Sequence, residues 1–237
     1  MARNGADFIN RVETETGLKL EIIDRETEAR LAAKGSVALI DSHATSAVIF
    51  DIGGGSTEVM WMERGATGFE VKAWTSLPAG VVTLSEQLGG GAHVTPEIFT
   101  AMRTHVYGLL APFVKRVLEL NQGVAAPSHL LGTSGTVTTI AGVHLGLRHY
   151  DRAKVDGCWM TSTAVADVTE RLLAMSYQQR IANGCIGRDR ADLVLAGCAI
   201  LEEVRAAFPA DRVRVADRGL REGILADMIE DSMGETA

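Results

Sequence analysis

Residues 45–61 read TSAVIFDIGGGSTEVMW, and this stretch decides the fold of the chain. The apolar, β-branched run at residues 48–50 predicts a buried strand, and the alternation of apolar and polar residues over 58–61 predicts a second strand. Three consecutive glycines separate the two runs and predict a tight turn. The sequence therefore predicts two strands joined by a glycine turn.

The turn between these strands has the composition of a phosphate-binding loop. Gly53, Gly54 and Gly55 can take positive φ and place no Cβ between the backbone and a ligand, so successive N–H groups can converge on an anion. Asp51 before the turn and Glu58 after it add two carboxylates that can hold a hard divalent cation. A plain hairpin with a glycine-rich turn is the alternative interpretation, although such a hairpin needs neither carboxylate.

Composition limits the class of protein. The 237 residues carry a formal net charge of −7, which argues against a nucleic-acid-binding surface because such a surface needs clustered Lys and Arg. The sequence contains no apolar run as long as a membrane span and no signal-peptide core near its first residue, so we expect no membrane insertion and a cytoplasmic location. The three cysteines form no CxxC pair, which indicates free thiols.

The rest of the chain is predicted to alternate helices with short strands. We predict helices over residues 4–17, 25–35, 81–88, 95–120, 137–145, 162–175, 189–208 and 220–233, and further strands over residues 19–24, 68–76, 128–132 and 212–216. Pro112 predicts a kink or a break in the helix at 95–120. From residue 45 onward the order is βββαβαβα, which predicts an α/β fold with a mixed five-stranded sheet flanked by helices.

A second candidate anion site lies in GTSGT, residues 132–136, where a predicted strand runs through a turn into a helix. Free N–H groups and the helix dipole would point at the turn. A simple N-cap by Ser134 or Thr136 explains the same residues, so both interpretations stay open. Asp217, at the end of the predicted strand 212–216, begins a third strand-turn-helix edge. Glu28 falls in the predicted helix 25–35, where spacing alone indicates a solvated face.

Four stretches together resemble a known family, in the order in which that family carries them: EIIDRETEARL at residues 21–31, FDIGGGSTEVMW at 50–61, HLLGTSGTVTTIAG at 129–142 and VRVADRGLREGILADM at 213–228. The family is that of the exopolyphosphatases and guanosine pentaphosphate phosphohydrolases (Ppx/GppA). The resemblance spans nearly the whole chain and implies a ribonuclease H-like (actin-like ATPase) lobe. It also implies Mg²⁺-assisted hydrolysis of the terminal phosphoanhydride of inorganic polyphosphate or of guanosine pentaphosphate.

The resemblance gives individual residues their expected roles. Glu28 takes the position of the family's general base, which replaces the solvated-face interpretation, and Asp51 and Glu58 match residues that serve in metal binding and catalysis. The expected phosphate-binding residues are Gly53, Gly54, Gly55, Ser56 and Thr57 in the first loop and Gly132, Ser134, Gly135 and Thr136 in the second.

Two departures from the family pattern affect the expected activity. Family members begin with a lobe that carries a first phosphate loop of the D-x-G-S-N-S type, and no such stretch occurs in this sequence. The resemblance therefore implies that residues 1–36 are the C-terminal remnant of the first actin-like lobe and that residues 37–237 are the second lobe. The run DRETE at residues 24–28 also lacks the glycine and the Glu-Glu pair of the family pattern. We expect this chain alone to be a weak or inactive phosphatase.

Three functional hypotheses remain open at the level of sequence. The expected substrate is polyphosphate or guanosine pentaphosphate, and the sequence does not separate them. The alternative to an enzyme is a non-catalytic module that senses polyphosphate or a nucleotide, or that contributes to a homodimer. The presence of Glu28, Asp51 and Glu58 favours the hydrolase.

Overall fold

A computed structural model describes residues 4–234, with side chains described through residue 230. A six-stranded mixed sheet forms the centre of the molecule, with strand order β3-β2-β1-β4-β6-β5. The strands are β1 (Ser46–Ile52), β2 (Thr57–Arg64), β3 (Phe69–Leu77), β4 (His129–Thr133), β5 (Trp159–Thr161) and β6 (Arg212–Ala216). Strands β1, β2 and β3 form an antiparallel meander, whereas β1, β4 and β6 are parallel. The predicted α/β fold and the two strands joined by the glycine turn are confirmed.

Helices cover both faces of the sheet. They are α1 (Gly5–Thr16), α2 (Arg25–Ser36), α3 (Val81–Leu88), α4 (Pro96–Leu120), α5 (Gly135–His144), α6 (Arg152–Val155), α7 (Ser162–Ala174), α8 (Tyr177–Ala182), α9 (Val194–Ala207) and α10 (Leu220–Gly234). Among the described residues, no helix has the length and hydropathy of a membrane span. The cytoplasmic location stays a prediction.

Four predicted elements differ from the structure. The prediction of five strands is wrong, because β5 adds a sixth strand whose three residues are too short to show a periodic pattern. The strand predicted over residues 19–24 is absent. Apolar and polar residues alternate in this segment as in a strand, but no described strand pairs with it. Its apolar side chains are also exposed: Leu18, Leu20 and Ile22 are 63%, 44% and 62% exposed. Pro112 does not break α4, which is continuous, and the helix predicted from residue 189 begins at Val194, after turns at 189–193.

The two faces of the sheet bury separate apolar clusters. Because side chains alternate along a strand, Val48 and Phe50 of β1 face the larger cluster, which α4, α5, α7 and α9 cover. Ala47 and Ile49 face the smaller cluster, where Ala29 and Ala33 of α2 pack against the sheet. Asp51 follows the alternation of residues 47 and 49, so its side chain lies on the face that α2 covers.

Helices α2 and α10 pack closely on this second face. A Cβ added to Gly35 would collide with the backbone of Gly219, and one added to Gly223 would collide with that of Leu31. Lys34 forms ion pairs with Asp227 and Glu230. These contacts join the C-terminal half of α2 to α10 and the turn before it. The division of the chain at residue 36 stays a prediction, and residues 1–3 and 235–237 of the two predicted lobes lie outside the described residues.

Candidate functional site

Four polar side chains lie side by side across neighbouring strands on the α2 face of the sheet. Asp51 of β1 is directly opposite Glu58 of β2 and also opposite Thr133 of β4. Glu58 is in turn opposite Ser76 of β3, whose Oγ donates a hydrogen bond of 2.8 Å to Glu58 Oε1. Directly opposite residues on one face have neighbouring side chains. The antiparallel hairpin therefore brings the two predicted carboxylates together.

The environment of Asp51 opposes its ionisation. The pKa of the Asp51 carboxyl is raised to about 6, chiefly by burial, and the charges of Glu58 and Glu28 contribute to this rise. The hydroxyl of Thr133 partly offsets the rise, although Thr133 Oγ1 lies outside ordinary hydrogen-bond geometry. Glu58 is itself only 7% exposed. The pair is therefore suited to a cation, which would neutralise both carboxylates.

Glu28 lies in the first turn of α2 and is exposed. Asp24 caps this helix by accepting a hydrogen bond of 2.7 Å from the Thr27 N–H. The Glu28 carboxylate is close enough to Asp51 to raise its pKa, and it forms no hydrogen bond or ion pair with any residue in the described part of the chain. Its carboxylate is thus free to contact a ligand or a water molecule beside the Asp51–Glu58 pair.

The glycine loop between β1 and β2 leaves three N–H groups available. Gly53 donates to the Ser56 carbonyl at 2.9 Å, and the Gly53 and Gly54 carbonyls accept from the start of α3. Within the described residues, the N–H groups of Gly54, Gly55 and Ser56 donate to no protein acceptor. The Thr57 hydroxyl donates to the Ala79 carbonyl at 2.6 Å, so it links the end of the loop to the segment before α3. The loop has the donors of an anion site.

The glycines act through their size rather than through positive φ. None of the three glycines of this loop has the positive φ that we expected. Instead, Gly54 packs against Gly80, where an added Cβ would collide with the loop backbone, and a Cβ on Gly55 would point into open space. Missing side chains therefore allow α3 to approach the loop from one side and a ligand from the other.

The second predicted loop, at the start of α5, has no side-chain cap. The simple N-cap interpretation is therefore wrong. Ser134 has φ +107°, a conformation that only glycine adopts readily, and the hydroxyls of Thr133 and Ser134 are buried without hydrogen-bond partners. The N–H groups of Gly135 and Thr136 also donate to no described acceptor.

Two of the predicted second-loop residues serve packing. A Cβ on Gly132 would contact Phe50 and Val137. Thr136 is buried against Gly197 of α9, where an added Cβ would collide with it. The missing side chain of Gly197 therefore allows this close approach of α5 to α9. Gly132 and Thr136 thus shape the loop, while its available donors are the Ser134 hydroxyl and the backbone N–H groups.

A cavity of about 260 Å³ opens at the carboxyl ends of β1, β4 and β6. We call it the strand-end cavity. Its wall consists of Asp51, Thr133, Ser134, Gly135, Thr138, Tyr150, Arg190 and residues 216–222. A second cavity of about 210 Å³ is lined in part by residues of both loops. Its wall is more apolar than that of the strand-end cavity and includes Ile52, Val81, Leu193 and Val194. The two cavities share Gly135 and Arg190, so they adjoin.

The sequence model of the Ppx/GppA phosphatase family matches residues 1–232. The chain belongs to this family.

Relatives in the Ppx/GppA family include two kinds of enzyme. Exopolyphosphatase 2 of Mycobacterium tuberculosis is 30% identical over 214 residues, which are 88% of this chain and 63% of that protein. The guanosine-5'-triphosphate,3'-diphosphate pyrophosphatase of Vibrio cholerae is 26% identical over 230 residues, which are 97% of this chain and 43% of that protein. The chain thus spans about two fifths to two thirds of the length of these relatives.

A solved structure shares the fold. The crystal structure of the Aquifex aeolicus Ppx/GppA family member is 27% identical to this chain and superposes with a TM-score of 0.77, covering 98% of this chain and 71% of that one. This similarity confirms the actin-like fold that the motifs predicted.

Asp51 and Glu58 suit a Mg²⁺ ion that takes only one or two ligands from the protein. Among the described residues, no group of three or more His, Cys, Asp or Glu side chains could hold a metal ion. Mg²⁺ usually retains several waters and is bound by one or two carboxylates together with substrate phosphates. Asp51 and Glu58, adjacent and on the same face, fit that arrangement and do not fit an all-protein cage.

Sequence reasoning missed several residues of the strand-end cavity. Tyr150 and Arg190 come from segments far apart in sequence, and Arg190 is held at the cavity by its hydrogen bonds to the Gly135 carbonyl and the Thr139 hydroxyl of α5. Tyr150 OH donates a hydrogen bond of 2.6 Å to Asp217 Oδ2, and this contact together with burial raises the pKa of Tyr150. The position of Asp217 at a third strand-turn-helix edge was the available signal.

Proposed function

We propose that this chain forms the phosphate-binding part of a phosphoanhydride hydrolase that releases terminal phosphate from inorganic polyphosphate. The observation that carries this proposal is the placement of Asp51 and Glu58 opposite each other beside three available N–H groups. The family membership and the exopolyphosphatase relative support it. A homodimer, which was named only within the non-catalytic alternative, stays a prediction.

The glycine loop would hold the terminal phosphate. The N–H groups of Gly54, Gly55 and Ser56 donate to no acceptor among the described residues, and the loop is tied to itself and to α3 by backbone hydrogen bonds. Backbone N–H donors that are already in place stabilise developing charge on phosphoryl oxygens without reorganising during the reaction. This arrangement supports binding of the phosphate group that is transferred to water.

Glu28 would act as the general base. Its carboxylate has no protein partner among the described residues, so it can accept a hydrogen bond from a water molecule. As the water oxygen attacks the terminal phosphorus, Glu28 takes a proton from it, and the P–O bond to the bridging oxygen breaks. The products are inorganic phosphate and a chain shortened by one phosphate.

Asp51 and Glu58 would hold Mg²⁺ against the phosphate oxygens. When bound, the ion neutralises negative charge on the phosphate and on the leaving oxygen. Ser76 would keep Glu58 in place through its hydrogen bond, and Asp51 would meet the ion from the wall of the strand-end cavity. These residues would therefore orient the substrate relative to Glu28.

The second candidate substrate is guanosine pentaphosphate. The second cavity favours it, because an apolar wall formed by Val81, Leu193 and Val194 beside the Arg190 guanidinium suits a planar base. The Vibrio cholerae relative, named as a guanosine-5'-triphosphate,3'-diphosphate pyrophosphatase, supports this option. Arg190 would stack on the base or bind its phosphates.

The test is release of inorganic phosphate in the presence of Mg²⁺, measured with polyphosphate and with guanosine pentaphosphate. Two proteins are compared: this chain, and this chain extended at its N-terminus by a lobe that carries the D-x-G-S-N-S loop. We expect turnover by the extended protein and little or none by this chain. Equal turnover by both would contradict the expected need for a first lobe. No phosphate release from either substrate by the extended protein would contradict the proposed function.

A further inference from the structure

Arg25, the first residue of α2, places a guanidinium at the edge of the sheet where the glycine loop lies. Its Nη1 donates a hydrogen bond of 3.5 Å to Ser76 Oγ. Ser76 and Leu77 end β3, and they pair with Glu58 and Thr57, the residues of β2 that follow the glycine loop. The contact therefore brings a positive charge to the same end of the strands as the loop.

Two consecutive hydrogen bonds connect Arg25 to the carboxylate pair. Ser76 Oγ accepts from Arg25 and donates to Glu58 Oε1 at 2.8 Å, so one hydroxyl separates the guanidinium from the Glu58 carboxylate. Asp51 lies directly opposite Glu58. Glu28 follows Arg25 by three residues in the same helix, so these two side chains occupy neighbouring positions on one helix face. Arg25 consequently borders the proposed site.

The guanidinium of Arg25 is available to an anion. Arg25 is exposed, and within the described part of the chain it forms no ion pair and donates only to the neutral Ser76 hydroxyl. The preceding residue, Asp24, accepts from the Thr27 N–H instead of pairing with it. Arg30 of the same helix differs, because it pairs with an aspartate of α10 at 3.1 Å. Most of the N–H donors of Arg25 are therefore free.

We propose that Arg25 binds the terminal phosphate of the substrate, through oxygens that the N–H groups of the glycine loop leave unpaired. This inference rests on the proposed function. Glu28, Asp51 and Glu58 repel a phosphate, and the charge of one Mg²⁺ ion does not offset all three carboxylates. The planar guanidinium presents paired donors that match phosphate oxygens. Arg25 lies in the run DRETE, which departs from the family pattern, so the contact is a feature of this chain.

The experiment measures binding by this chain as it is, with inorganic phosphate in the presence of Mg²⁺ as the probe. The amide chemical shifts of Gly54, Gly55 and Ser56 follow the titration at the glycine loop. Arg25→Gln should raise the Kd for inorganic phosphate about tenfold, as expected for the loss of one charge-assisted contact. Arg25→Lys keeps the charge and loses the paired donors, so it should give an intermediate Kd.

A second titration, with Mg²⁺ alone, separates a phosphate contact from damage to the site. Arg25→Gln removes a positive charge near Asp51 and Glu58, so the Kd for Mg²⁺ should stay the same or fall. A structural defect in the carboxylate pair would raise this Kd instead.

Arg30→Gln is the matched control, because it removes the same charge from the same helix at a position that pairs with Asp227 of α10. At about 0.15 M salt, where the Debye length is about 8 Å, it should leave both Kd values unchanged. If the loop amides move but Arg25→Gln leaves the phosphate Kd unchanged, the inference is overturned and the proposed function stays intact. Loop amides that do not move would contradict the proposed phosphate loop, and the inference with it. A rise in both Kd values of Arg25→Gln, or an equal loss of phosphate binding in Arg30→Gln, would also overturn the contact.

Discussion

Asp51 and Glu58 occupy directly opposite positions on two antiparallel strands, on the same face of the sheet. Two carboxylates at such positions repel each other, and burial of Asp51 increases the cost of its charge. The chain retains this unfavourable pair at the end of its glycine loop. Removing one of the two charges should therefore stabilise the metal-free chain.

The first prediction concerns stability and pH in metal-free protein. Because the pKa of Asp51 is about 6 in the folded chain and about 3.8 when unfolded, the folded state binds the extra proton between these pH values. Its destabilising effect is therefore complete above pH 6 and disappears as the pH falls towards 4. Asp51→Asn should stabilise the chain by up to about 3 kcal/mol at pH 7.5 and have little effect at pH 4.

Urea unfolding at the two pH values, with a chelator present, measures this difference. Asp167→Asn is the control, because Asp167 is an exposed carboxylate of α7 outside the site. An equal effect of Asp51→Asn at both pH values would contradict the predicted charge penalty. With Mg²⁺ added, the unsubstituted chain should gain stability and Asp51→Asn should gain less.

The second prediction concerns the general base. In the protein extended by a first lobe, Glu28→Gln should lower kcat for phosphate release by a factor of about 10² to 10⁴, which is typical for loss of a general base. The substitution preserves size and removes proton affinity, so KM should change little. Glu26→Gln, two residues away in the same exposed helical turn, should leave kcat unchanged. Unchanged activity of Glu28→Gln would eliminate the proposed role and favour a non-catalytic binding module.

The proximity of Asp51 to Glu58 could be predicted from sequence, whereas the surroundings of Glu28 could not. A hairpin with a short turn fixes which residues face each other, so strand periodicity and three glycines suffice for the pair. Glu28 lies on an exposed helical face, where its local sequence carries no signal; only the family resemblance indicated it. Its position depends on the packing of α2 against the sheet and α10.

Contacts between segments far apart in sequence explain the other omissions. Arg190 lies in the turns before α9 and reaches the cavity through its hydrogen bonds to Gly135 and Thr139 of α5, and such a contact leaves no short-range pattern in the sequence. Residues 19–24 show the opposite case: they have the alternation of a strand but no partner strand among the described residues. A local sequence pattern therefore predicts a strand reliably where the partner strand is adjacent in sequence.

The third prediction tests the open side of the glycine loop. Gly55→Val should fold normally, because a Cβ at this position meets no atom within 4 Å and the backbone φ is not in the left-handed region. Its side chain would instead occupy the open space beside the free N–H groups of the loop, so binding of inorganic phosphate should be lost. We expect the free energy of unfolding to change by no more than about 1 kcal/mol.

Gly108→Ala is the control for this variant. Gly108 lies within α4 and has equally open space around it, so alanine should stabilise the helix by about 0.5 to 1 kcal/mol without affecting phosphate binding. Titration with inorganic phosphate and urea unfolding measure the two properties separately. Retained phosphate binding by folded Gly55→Val would show that the ligand lies elsewhere.

The fourth prediction uses the strained backbone of Ser134. A φ of +107° costs a non-glycine residue about 1 to 3 kcal/mol, so Ser134→Gly should relieve strain and, after the entropy cost of glycine in the unfolded chain, stabilise by about 1 kcal/mol. Ser134→Ala keeps the strain and removes the same unpartnered hydroxyl, so it should not stabilise through the backbone. If the hydroxyl donates to phosphate, both variants should weaken tripolyphosphate binding equally. Urea unfolding should nevertheless give a higher free energy of unfolding for Ser134→Gly than for Ser134→Ala. Equal stability of the two variants would mean that the strain is not relieved, and unchanged binding in both would exclude the hydroxyl as a ligand contact.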